Sequence, residues 1–203
     1  MKILLALLIF NTLTLGCGKK SKSSKDSPPK ENSFDLAGVV NTTFSTGCVV
    51  AEDTDHKPFT ESIHFSQDSF VMNWVNFNEQ NCNEDRKRIS YIHKYIDVEK
   101  ESSAEIEGWD TYSYSVQSIT GTVHTASVKK KFNKKKVYGY DDWLVGEAKE
   151  ITGRRYSSKQ KVKPSAGSIR VRTMKTDDDT LYLARYVKNK ATVENPWIYK
   201  KLK

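Results

Sequence analysis

Four histidines, His56, His64, His93 and His124, are scattered along the chain without an HxH, HExxH or Cys-His spacing, the patterns that bring two ligands to one metal ion. No metal or other cofactor is expected. Glu52-Asp53-Thr54-Asp55-His56 gathers three acids beside an imidazole, but it lacks the Asp and Gly spacing and the terminal Glu of a calcium loop. It reads as a solvated turn. The chain holds no GxSxG elbow, phosphate-binding glycine loop or paired-acid signature. An enzyme is therefore not expected; a hydrolase would need acids that meet only in space.

Two groups of residues suit binding better than catalysis. The aromatics Trp74, Tyr91, Tyr95, Tyr112 and Tyr114 come from three successive expected strands; facing inward, they would line a pocket with apolar walls and a few polar handles. The more ordinary reading is packing, because an eight-stranded ring is just wide enough for its own side chains. The second group is Lys129, Lys130, Lys131, Lys134, Lys135 and Lys136, six lysines within eight residues. Such a run is ordinarily a solvated loop; its functional reading is attraction to an anionic component such as lipopolysaccharide phosphates or anionic lipid. Nucleic acid is not expected, since the run contains no Arg, the residue suited to forked phosphate contacts.

The elements that position these residues follow from composition and periodicity. The chain has 203 residues, a formal charge of +8 and 37% hydrophobic residues, below the roughly 45 to 50% apolar content of an average globular chain. That excludes a polytopic membrane protein and argues against a parallel sheet buried on both faces. Four Trp, ten Tyr and eight Phe still provide one core. Phe59, Ile63 and Phe65 alternate with Thr60, Ser62, His64 and Ser66; after Ser66-Gln67-Asp68-Ser69, Phe70, Met72 and Trp74 alternate with Val71, Asn73 and Val75. That is a hairpin. Ile89, Tyr91, His93 and Tyr95 share one face, as do Tyr112, Tyr114 and Val116. Ile169, Val171 and Thr173 alternate with Arg170 and Arg172, and Thr176-Asp177-Asp178-Asp179 turns into Leu181 and Leu183. Helical periodicity is almost absent. The expectation is an all-β domain over 34–203, an antiparallel up-and-down barrel of about eight strands, whose closure removes exposed edges. A two-sheet β-sandwich is the alternative.

Thr42-Thr43-Phe44-Ser45-Thr46-Gly47-Cys48, followed by a hairpin and Asn81-Cys82, resembles the opening of the lipocalin-like domains of bacterial secreted proteins. Phe132-Asn133, Tyr138-Gly139-Tyr140-Asp141-Asp142-Trp143, Gly146 and Lys149-Glu150-Ile151-Thr152-Gly153 are similar to that group's middle segment. The chain departs where Thr42 and Phe44 replace Gly and Trp, and where Tyr138 and Tyr156 replace a second Cys pair. The resemblance implies a fold able to hold a small apolar ligand and does not itself fix a function.

Met1-Lys2 and the apolar run from Ile3 to Phe10 have the order of a secretory signal and are too short for the ~20 residues of a membrane-crossing helix. Thr14-Leu15-Gly16-Cys17 resembles the lipobox of bacterial lipoproteins, which implies removal of residues 1–16 and a lipid on the Cys17 thiol. Gly18, rather than Asp, after the cysteine implies the outer membrane, with the domain in the periplasm or, alternatively, at the cell surface. With Cys17 acylated, Cys48 and Cys82 form an even pair in an oxidising compartment, where a disulfide is expected. Between the lipid and the domain, residues 18–33 carry five Lys, five Ser and two Pro with no large apolar side chain. They read as a disordered basic tether. The expected function is that of a membrane-anchored, non-catalytic module binding a small apolar ligand or an anionic envelope component, or a structural lipoprotein with a filled barrel.

Overall fold

The computed structural model describes residues 39–50, 57–102, 106–157, 162–187 and 190–203. The expected secretory signal at 1–16, Cys17, the expected tether at 18–33 and the expected turn at 52–56 lie outside the described residues.

Among the described residues the chain forms nine strands and one α-helix: β1 (Thr43–Ser45), β2 (Phe59–Phe65), β3 (Phe70–Phe77), β4 (Lys87–Lys100), β5 (Asp110–Val123), α1 (Ala126–Lys135), β6 (Ala148–Glu150), β7 (Ile169–Asp177), β8 (Thr180–Val187) and β9 (Lys190–Lys201). All strand pairings are antiparallel, and β1, β2, β3, β4, β5, β7, β8 and β9 follow one another round a closed ring, with β9 returning to β1. The expected up-and-down, all-β ring of about eight strands is present. Both long strands make it possible: β5 pairs with β4 on one edge and with β7 and then β6 on the other.

In antiparallel sheets, directly opposed residues point to the same face, so the register sorts the interior into layers. Phe65, Phe70, Tyr95 and Val116 stand opposite one another across β2 to β5. One step along, Phe44, Ile63, Met72, His93 and Ile119 do the same. The next layer is Glu61, Trp74, Tyr91 and Gly121. A Cβ on Gly121 would lie 3.3 Å from the Tyr91 ring, so the glycine makes room for that ring. A Cys48–Cys82 disulfide, with Cα atoms 5.6 Å apart, ties the segment after β1 to the β3–β4 connection.

The structure corrects two expectations. In β7, Ile169 and Val171 are exposed, and Arg172 turns inward. The register explains it: Arg172 opposes Tyr112 and Arg170 opposes Tyr114, whereas Val171 and Ile169 oppose Ser113 and Ser115. The tyrosines are buried inside, so their partners share that face. The lysine run is also not a loop. Lys129, Lys130, Lys131, Lys134 and Lys135 lie in α1, and Lys136 is its C-cap. Thr125 caps the helix by accepting from the Val128 N–H, and Val128 and Phe132, one turn apart, are the residues it buries. Two apolar residues are too narrow a stripe to stand out in a lysine-rich window. The helix is held by its connection: Asn133 donates to the Trp143 carbonyl and accepts from the Trp143 N–H, and the Trp143 ring meets Phe132 edge-on at 5.4 Å.

A candidate binding cavity inside the ring

One half of the interior is solid. Phe70 packs against Phe65, Tyr95 and Tyr114 at ring separations of 5.7, 4.6 and 4.9 Å, and Tyr112 is fully buried nearby in the same core. Above this floor the ring is hollow. A cavity of about 390 Å³ is bordered by Met72, Trp74, Tyr91, His93 and Tyr95, with Glu61, Lys163 and Arg172 as its charged groups. The volume lies within the range of small-molecule pockets.

Each charged group has an identifiable situation. The Tyr199 hydroxyl donates to Glu61 Oε1 at 2.9 Å. Burial raises the Glu61 carboxyl above its ordinary pKa, while that hydrogen bond and the Arg172 charge pull it back. For Arg172, burial opposes the charge, but the surrounding tyrosines and Glu61 outweigh it. Among the described residues, the hydrogen bond its guanidinium makes is a weak one to Met72 Sδ at 3.7 Å. Lys163 Nζ stands 4.6 Å from the centre of the Tyr91 ring, and burial lowers its pKa. His93 is neutral: burial, then Lys163 and Arg172, push its pKa down to about 4. Its Nδ1 lies 2.9 Å from the Tyr95 hydroxyl.

On one side of the wall the backbone pairing lapses, and the Thr173 and Tyr186 hydroxyls, 3.1 Å apart, bridge the gap. β7 and β8 pair only where Met174 to Asp177 oppose Leu183 to Thr180. Beyond Met174, β7 remains paired to β5 alone, and β8 beyond Leu183 to β9 alone. A second cavity, of about 440 Å³, lies at this parting, bordered by Val171, Ala184, Arg185, Tyr186 and Trp197; Glu61 and Arg172 border it as well as the first. Arg185 stacks on Trp197 with its guanidinium carbon 4.6 Å from the ring centre. A smaller space of about 170 Å³ lies beneath α1, and Trp74 and Tyr91 border it together with Val128, Lys131 and Phe132.

Of the five aromatics that the sequence left between packing and a pocket, the structure brings Trp74, Tyr91 and Tyr95 to the cavity. Tyr112 and Tyr114 belong to the packed floor. Of the lysine run, Lys131 borders the space under α1, while Lys130, Lys134, Lys135 and Lys136 are exposed. Tyr138 and Tyr156, where the resemblance implies a second Cys pair, stand together with ring centres 5.3 Å apart.

Sequence reasoning missed Glu61, Lys163 and Arg172. The signal for Glu61 was present: it is in phase with Phe59, Ile63 and Phe65 on the apolar face of its strand. Arg172 carried none, because local alternation placed it with the polar face. Lys163 precedes β7 in a segment without periodicity.

Glu61 and His93 border one cavity but hydrogen-bond to different partners, Tyr199 and Tyr95. Among the described residues, no Ser, Thr or Cys lines it, and no group of three His, Cys, Asp or Glu could hold a metal ion. No protein-family model matches the chain, and no curated protein matches it.

Proposed function

We propose that this chain is a lipid-anchored, non-catalytic binding protein of the bacterial envelope, which holds a small, largely apolar ligand inside its ring. The half-hollow interior carries the reading. The aromatic floor consumes only part of the space, and the remaining cavity of about 390 Å³ is walled by Met72, Trp74, Tyr91 and Tyr95. A ring whose side chains merely filled it would leave no such volume. The anchor rests on Thr14-Leu15-Gly16-Cys17, and the Cys48–Cys82 disulfide fits an oxidising compartment. A lipid at Cys17 and a flexible tether at 18–33, whose sixteen residues span roughly 20 to 24 Å root mean square, would hold the domain near a membrane, the source of apolar molecules.

The protein purified under mild conditions from the membranes of the cell that makes it should release a stoichiometric small molecule on denaturation, read by mass spectrometry. Its Cys17→Ser form should move to the soluble periplasmic fraction. An empty cavity in protein that has never met detergent would overturn the binding reading. Unchanged membrane association of the serine form would overturn the anchor.

A further inference from the structure

Among the described residues that border the cavity, positive charge outweighs negative. Lys163 and Arg172 border the cavity of about 390 Å³ against one acid, Glu61, and that acid is already engaged by the Tyr199 hydroxyl. Arg172 is the more exacting group. A guanidinium presents five N–H donors in a rigid fork, and here it gives one weak bond to a thioether. No buried side-chain nitrogen or oxygen among the described residues is without a partner, so the donors that Arg172 does not use on the protein remain accessible from the cavity it borders, where an acceptor can reach them. The partner that fits the fork is a planar or tetrahedral oxyanion, which accepts two parallel bonds at once. Lys163, held against the Tyr91 ring, supplies a second cation in the same space. The remainder of the wall is apolar and aromatic, with His93 uncharged, so the body of the ligand is not itself charged.

Access agrees with this division. The parting of β7 from β8 beyond Met174 and Leu183 opens next to Arg172, which borders the cavities on both sides of it. Arg185 stands at that opening, stacked on Trp197, so an anion entering there meets one cation before it reaches the next.

We infer that the cavity takes a single-chain anionic amphiphile, with its carboxylate or phosphate head on Arg172 and Lys163 and its alkyl chain against Met72, Trp74 and Tyr95. This rests on the binding reading above and specifies its ligand class.

The test measures binding of myristate, dodecyl phosphate, tetradecanol and acetate to the delipidated wild-type protein, and to Arg172→Met and Lys163→Met, by calorimetry and by quenching of Trp fluorescence. At least one of the two anionic amphiphiles should bind tenfold or more tightly than tetradecanol, and acetate, with no chain, should bind far more weakly. Preference for the carboxylate or for the phosphate identifies the head. In Arg172→Met the anion's advantage over the alcohol should fall at least tenfold, as expected for losing hydrogen bonds to a charged group, while tetradecanol affinity stays the same. Lys163→Met, which alters a residue outside the strands, should lose severalfold and serves if the first variant does not fold. Equal binding of tetradecanol and both anions by the wild-type protein would overturn the charged head and leave the binding reading standing. Failure of every chain-bearing probe to bind would overturn both.

Discussion

Tyr199 on β9 donates its hydroxyl to Glu61 Oε1 on β2 across 2.9 Å, bridging the three-residue β1 that pairs with both strands. The bond joins the two ends of the meander where the ring closes through its shortest member. It also gives a buried carboxylate its donor, which is why the acid is tolerated on a face otherwise made of Phe59, Ile63 and Phe65.

Glu61 makes neutral pH slightly unfavourable. Its folded pKa is raised above the ordinary value of 4.5, so the folded state binds the proton more tightly than the unfolded chain does. Stability from this group is therefore lost as pH rises from about 4.5 through the folded value. Glu61→Gln keeps a carbonyl for the Tyr199 hydroxyl and removes the charge; it should be more stable than wild type at pH 8, and the difference should close below pH 4.5. Tyr199→Phe leaves the carboxylate without its donor and should cost about 1 to 3 kcal/mol at pH 7. Urea unfolding at the two pH values measures both, and a Gln variant weaker than wild type at pH 8 would contradict the sign.

His93 acts in the opposite direction. Its pKa falls to about 4 in the folded protein, against about 6.5 in an unfolded chain. Between these values the unfolded state binds more protons, so stability is full above pH 6.5 and declines as pH falls toward 4, by up to about 3 kcal/mol. The groups facing the imidazole are the Tyr95 hydroxyl and the charges of Lys163 and Arg172. In His93→Phe, thermal melts between pH 7 and pH 4 should lose this part of the acid slope. An unchanged slope would place the titration elsewhere.

Lys136 ends α1 with φ +46°, in the left-handed region, where a Cβ is disfavoured and glycine is the usual residue. Its side chain reaches Asp141 at 3.2 Å, but both groups are largely exposed, and such a pair contributes little. Lys136→Gly should therefore raise stability by about 1 kcal/mol. Chemical denaturation is the measurement, and a loss of stability would mean that the ion pair outweighs the backbone.

What the sequence determined by itself was the kind of sheet and the position of its better-patterned strands. Alternation of Phe59, Ile63 and Phe65 with polar neighbours, and of Ile89, Tyr91, His93 and Tyr95 with theirs, is a local consequence of the two-residue repeat of a strand, and β2 and β4 follow it. The Cys48–Cys82 pairing was likewise legible, because three cysteines with one assigned to a lipid leave one pair. α1 was not, since its two buried residues are hidden among lysines.

Only the tertiary structure decided which residues face the cavity. Arg172 reads as outward from its own strand, and it is turned inward by opposition to Tyr112 across β5, a partner sixty residues earlier in the chain. The division of Trp74, Tyr91, Tyr95, Tyr112 and Tyr114 between wall and floor has the same origin. Which side chains stack into one layer depends on the register between strands, and register is set by pairings far apart in the sequence rather than by alternation within any one of them.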